Sequence, residues 1–67
     1  MSVGLERLCA KALKMNGRFM TMFDPTDSHE PWRVKFFPDP HDDAHYWANG
    51  KTLDECANAV INEMDGF

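Results

Sequence analysis

The densest run of side chains that can do chemistry is His41-Asp42-Asp43-Ala44-His45, which sets two imidazoles and two carboxylates within five residues, with His29 as a more distant third imidazole. Imidazole and carboxylate together suit Zn or Ni. A closed structural zinc site needs four ligands of fixed geometry, however, and neither Cys9 nor Cys56 is near in sequence. Ordinary solvated connection fits this loop better, and no metal or other cofactor is expected. Nucleophilic chemistry has no better footing. The chain has no phosphate-cradling Gly-x-x-x-x-Gly-Lys loop, no Gly-x-Ser-x-Gly elbow and no His-Glu-x-x-His pair. A reactive thiolate has to be accessible and activated, whereas both cysteines fall among apolar residues at helical spacing and read as buried thiols in a reducing compartment, with a disulfide joining the two helices as the lesser alternative. The expectation is a binding protein, not an enzyme.

Charge is the next property that can act on a partner. The net charge is −4, but it is unevenly spread. The first 23 residues carry Arg7, Lys11, Lys14 and Arg18 against Glu6. The last thirty carry Asp39, Asp42, Asp43, Asp54, Glu55, Glu63 and Asp65 against Lys51. If these seven acids face one side, they form a concentrated negative field that repels nucleic acid and accelerates encounter with basic grooves. They are therefore the candidate partner-binding residues. The expected partner is a protein with a basic nucleic-acid-binding surface, and no direct nucleic-acid or membrane contact is expected. A second reading places the interface on an apolar sheet surface carrying Met20, Met22 or Phe37. A third is weak nucleic-acid binding through Arg7, Lys11, Lys14, Arg33 and Lys35, where aromatic residues interleaved with cations on one strand supply stacking platforms.

These residues need elements to position them. Ser2 is a suitable cap for a helix over Val3–Met15, with Leu5, Leu8, Cys9, Ala12 and Met15 on one face. Asn16-Gly17 offers the left-handed residue that ends a helix. Arg18–Phe23 reads as a strand with Phe19, Thr21 and Phe23 on one face and Met20 and Met22 on the other. After a proline- and acid-rich loop, Trp32–Phe37 reads as a second strand, with Trp32, Val34 and Phe36 inward and Arg33 and Lys35 outward. Pro38-Asp39-Pro40 stops it. A short third strand is expected over residues 45–48, followed by a turn at Asn49-Gly50. Thr52 and Glu55 form a capping box for a second helix over Leu53–Met64, whose apolar stripe is Leu53, Cys56, Ala57, Val60, Ile61 and Met64. Gly66 ends it, and Phe67 is expected to fold back.

The expected fold is therefore a single α+β domain over residues 1–67 in α-β-β-(β)-α order, with both helices on one face of a small antiparallel sheet. Sixty-seven residues bury only about 60% of their unfolded surface and hold a net stability of about 3–5 kcal/mol. That leaves little for a deep pocket and favours a flat binding surface. No run approaches a membrane span, and the N-terminus lacks the apolar run of a signal peptide. A cytoplasmic monomer or weak dimer is expected.

Three resemblances bear on function. The element order and length, with Lys51-Thr52-Leu53-Asp54-Glu55-Cys56-Ala57 at the last helix start, resemble a double-stranded-RNA-binding domain. That family holds phosphates with a lysine cluster at this point, whereas here Lys51 is followed by Asp54 and Glu55. Gly50-Lys51-Thr52-Leu53-Asp54-Glu55-Cys56-Ala57 is also similar to the Gly-x-Thr-x-x-Glu-Ala helix start of HicB-type antitoxins. In overall character, as a short acidic α+β chain, the protein resembles small phage-encoded anti-CRISPR inhibitors. That likeness implies occlusion of the nucleic-acid-binding surface of a CRISPR effector, and it rests on no motif.

Overall fold

The computed structural model describes residues 3–66. The expected capping role of Ser2 and fold-back of Phe67 lie outside them. The order is α1 (Val3–Met15), β1 (Arg18–Phe23), β2 (Trp32–Phe37), β3 (Tyr46–Gly50) and α2 (Leu53–Met64). The strands form an antiparallel meander, β1-β2-β3. This is the two-layer α+β arrangement that the apolar patterns call for, with both helices on one side of the sheet.

Period-two alternation sorts the strand residues. Phe19, Thr21 and Phe23 of β1 lie opposite Phe36, Val34 and Trp32 of β2, and Val34 and Phe36 lie opposite Ala48 and Tyr46 of β3. This face meets the helices. The core consists of Leu8 from α1, Val34 and Phe36 from β2, and Cys56, Ala57, Val60 and Ile61 from α2. Phe36 is fully buried, and its ring stacks on Phe19 at 6.2 Å between centroids. Cys56 donates its thiol hydrogen to the Ala48 carbonyl at 2.9 Å, tying α2 to β3. Burial pushes this thiol's pKa up, which keeps it protonated and able to donate.

α1 packs mainly against α2. The Gly4 amide donates to Asp54 Oδ1 at 2.9 Å, and Lys11 Nζ meets Asp65 Oδ1 at 2.6 Å. Matching N-terminal with N-terminal and C-terminal with C-terminal ends, these contacts show that the two helices run parallel. Gly4 allows the closest approach, because a Cβ there would lie 2.9 Å from both the Ala57 Cβ and the Asp54 Cα. Asn16 takes the left-handed conformation (φ 56°) that ends α1.

Two local expectations need correction. Asn49 and Gly50 are not a turn: they extend β3, opposite Arg33 and Trp32. The chain turns instead at Lys51-Thr52, where Thr52 Oγ1 accepts from the Glu55 amide at 3.2 Å and Glu55 Oε2 accepts from the Lys51 amide at 3.0 Å. The ladder with β2 outweighs the Asn-Gly turn preference. Cys9 is also not a core thiol, because it is exposed. Only a narrow stripe of α1 around Gly4 and Leu8 is buried, so the flanks of its apolar arc, Cys9 and Met15 included, reach solvent.

Replacing Gly4 by Val is expected to force the helices apart and to lower stability in urea by about 1–3 kcal/mol, the usual cost of overpacking. An unchanged urea midpoint would contradict the parallel close contact.

Candidate interaction surface

The second set of alternating strand residues faces away from the helices, and among the described residues no helix or further strand packs on it. Across the sheet, Met20 lies opposite Lys35 and Met22 opposite Arg33. Lys35 in turn lies opposite Trp47, and Arg33 opposite Asn49. Met20, Met22 and Trp47 are 52%, 47% and 56% exposed. At one end of this face the Arg18 guanidinium sits 5.2 Å from the centre of the Phe37 ring, and Phe37 lies 5.0 Å from the His45 ring. No strand position on this face carries an acid. The result is a flat patch of thioether and aromatic groups interspersed with Arg18, Arg33 and Lys35.

The patch has two shallow depressions. One, of about 420 Å³, is bounded by Arg33, Lys35, His45, Trp47 and Asn49. The other, of about 260 Å³, is bounded by Arg18, Phe19, Met20 and Phe37. Arg33 Nε and Asn49 Oδ1, on facing residues in the first depression, are shielded from solvent and have no hydrogen-bond partner.

Carboxylates lie at the two ends of the strands. In the β1–β2 loop, Asp24 accepts from the Thr26 amide and hydroxyl at 3.0 and 2.6 Å, and Asp27 accepts from the His29 and Glu30 amides at 3.1 and 3.0 Å. The Arg33 guanidinium stands 3.6 Å from Asp24 and 3.9 Å from Asp27. These hydrogen bonds, and secondarily the Arg33 charge, hold both carboxyls below their ordinary pKa.

The seven C-terminal acids are not gathered in one place. Asp39, Asp42 and Asp43 lie in the β2–β3 loop at one end of the sheet. Asp54 and Glu55 open α2 immediately beyond the other end of β3. Glu63 lies in the last turn of α2, and Asp65 caps it. Most of these carboxylates already serve the fold. Asp54 binds the Gly4 amide, Glu55 the Lys51 amide, and Asp65 the Lys11 ammonium. Asp39 accepts from the His41 amide at 2.9 Å and Asp42 from the Ala44 amide at 3.0 Å. The cations of α1 are drawn in the same way, since Arg7 donates to Asn58 Oδ1 and Lys11 is held by Asp65.

Among the described residues, no group of three or more His, Cys, Asp or Glu side chains is placed to hold a metal ion. His45 instead turns its Nδ1 to the Asp43 carbonyl at 3.1 Å. No described helix is long and apolar enough to cross a membrane.

The outward display of Met20, Met22, Arg33 and Lys35 follows from alternation in the sequence. Trp47 was the missed member. Its signal is the Tyr46-Trp47-Ala48 alternation, in which Tyr46 and Ala48 pack on the core and Trp47 must then point away. Neither family models, curated proteins nor solved structures match this chain.

The lowered carboxyl pKa values fix a sign. Their contribution to loop order is full above the ordinary carboxylate pKa and is lost as pH falls through the depressed folded values. The amide resonances of Thr26, His29 and Glu30 are therefore expected to titrate with midpoints below that of aspartate in an unstructured peptide. Midpoints at or above that reference would contradict the loop geometry.

Proposed function

We propose that this protein is a non-enzymatic binding module that docks a protein partner on the open face of its sheet. The observation that carries this reading is the uncovered patch of Met20, Met22 and Trp47 set among cations. Large exposed apolar side chains gathered on one face of a small domain mark interaction sites, and here Met20 and Met22 on one edge strand and Trp47 on the other flank the central Arg33 and Lys35. Trp and Arg are also the side chains most enriched among those that dominate binding energy, and methionine adapts its shape to a partner.

The charge pattern favours a protein over nucleic acid. Lys35 and Arg33 lie at the centre, but Asp24, Asp27 and Glu30 follow one end of the strands and Asp39, Asp42 and Asp43 the other. A polyanion laid along the strands would meet carboxylates at both ends, and the whole chain carries −4. The complementary surface is apolar and acidic at its centre and basic at its margins.

A second reading keeps the acids as the contact. Asp39, Asp42 and Asp43 are exposed together in one loop, and such a cluster suits a basic nucleic-acid-binding surface on another protein, as expected for an anti-CRISPR-type inhibitor. Asp54, Glu55, Glu63 and Asp65 lie on other elements, so this contact is smaller than one made by all seven acids.

One comparison separates the two. The wild-type chain, a Trp47→Ser/Lys35→Glu variant and an Asp39→Asn/Asp42→Asn/Asp43→Asn variant are immobilised and exposed to host lysate with and without nuclease treatment. The asparagines keep the turn-forming oxygens while removing three charges. The open-face reading expects the specific prey to survive the Asn substitutions and to be lost with Trp47 and Lys35, by about 2 kcal/mol or roughly thirtyfold in Kd. Loss with the Asn variant alone supports the acidic contact, and prey removed by nuclease contradicts both readings.

A further inference from the structure

We infer that β1 is a self-complementary edge through which two copies of the chain join into one continuous sheet. β1 is the outer strand of the meander and is poorly covered on either face. Thr21 is exposed on the helix side, Phe23 is 53% exposed on the same side, and Met20 and Met22 are exposed on the other. Edge strands are ordinarily blunted by a lysine, a proline, a bulge or a covering element. Between Phe19 and Phe23 this strand has none of these, as it is regular and carries no charge.

The backbone has the right parity for pairing. The Asp24 amide donates to the Pro31 carbonyl at 2.7 Å, so the even-numbered residues of β1 direct their amides and carbonyls at β2. Phe19, Thr21 and Phe23 therefore direct theirs outward, to an edge with no partner strand. An antiparallel second copy placed about a two-fold axis at Thr21 brings Thr21 against Thr21, and Phe19 against Phe23 of the other copy. Each of these is a pair of outward-directed residues, so each exchanges both of its backbone hydrogen bonds.

The side chains fit the same register. Phe19-Met20-Thr21-Met22-Phe23 reads identically in both directions, so antiparallel pairing about its centre sets Met20 beside Met22 and Phe19 beside Phe23. One step further out it sets Arg18 of each copy against Asp24 of the other. Sliding the register by one pair to either side breaks the Arg18–Asp24 match and leaves outward backbone groups unpaired. An interface that repeats the same patch on both subunits is the commonest closed form of oligomer. Here it removes the exposed edge and shields Phe23. It does not rest on the open-face reading, because Trp47 and Lys35 lie on other strands and remain free in the dimer.

The test combines association with register. Sedimentation of the full chain is expected to show a concentration-dependent dimer, and a monomer persisting to millimolar concentration would overturn the proposal. Thr21→Lys puts like charges face to face at the two-fold axis at a site that is exposed in the monomer. It is expected to weaken association at least tenfold with an unchanged circular dichroism spectrum, whereas association equal to wild type would overturn the proposal. Should that variant unfold, cysteine pairing decides. In a Cys9→Ser background, Met20→Cys and Met22→Cys chains are oxidised each alone and, in a parallel sample, mixed as reduced chains before oxidation. Met20 of one copy and Met22 of the other form a close, non-hydrogen-bonded pair with Cα atoms about 4.5 Å apart, within the span of a disulfide. The mixture is expected to form the heterodisulfide in preference to either homodisulfide. Random pairing in the mixture would rule out this register.

Discussion

The molecule depends on one constraint: two helices can cover only one face of a three-stranded sheet. Val34 and Phe36 of the central strand pack beneath α2, which supplies Cys56, Ala57, Val60 and Ile61, and α1 completes the core by lying parallel to α2 through Gly4 and Leu8. With the core so placed, the alternate residues of the strands must stand in water. That those residues include methionines, a tryptophan and three cations, and no acid, turns an architectural necessity into a candidate interface.

The same economy governs the charges. A core of this size holds only a few kcal/mol in reserve, and the acids help to maintain it. Asp54 and Asp65 join α1 to α2 at opposite ends, Glu55 closes the start of α2, and Asp39 and Asp42 shape the β2–β3 loop. A carboxylate engaged in this way still contributes to the long-range field, but its lone pairs are partly spent and its removal costs fold as well as contact. Among the described residues, the carboxylates of Asp43 and Glu63 make no such contact, which leaves them to meet a partner.

Much of this was legible in the sequence because it follows from periodicity. The two helical stripes, the inward Trp32, Val34 and Phe36 and the outward Met20, Met22, Arg33 and Lys35 all come from counting residues. What was not legible depends on distance in space. Whether Asn49-Gly50 turns or pairs is decided by Arg33 and Trp32 on another strand. Whether Cys9 is buried depends on how narrow a stripe α1 presents to α2. The dispersal of the seven acids reflects the reach of β3 from one end of the sheet to the other, which no local pattern encodes. The palindrome at residues 19–23 is plain in the sequence, but it acquires meaning only once β1 is known to be an uncovered edge.

Docking on the open face requires that face to be bare in the free protein. The direct measurement is the broadening of side-chain resonances by a soluble neutral paramagnetic agent, made on dilute protein with the methionine methyl and tryptophan indole signals assigned. The methyls of Met20 and Met22 and the indole of Trp47 are expected to broaden strongly, and the core-packed Met64 and Trp32 much less. Protection of Met20, Met22 and Trp47 equal to that of Met64 and Trp32 would mean that the chain covers this face itself, and the binding reading would fall with it.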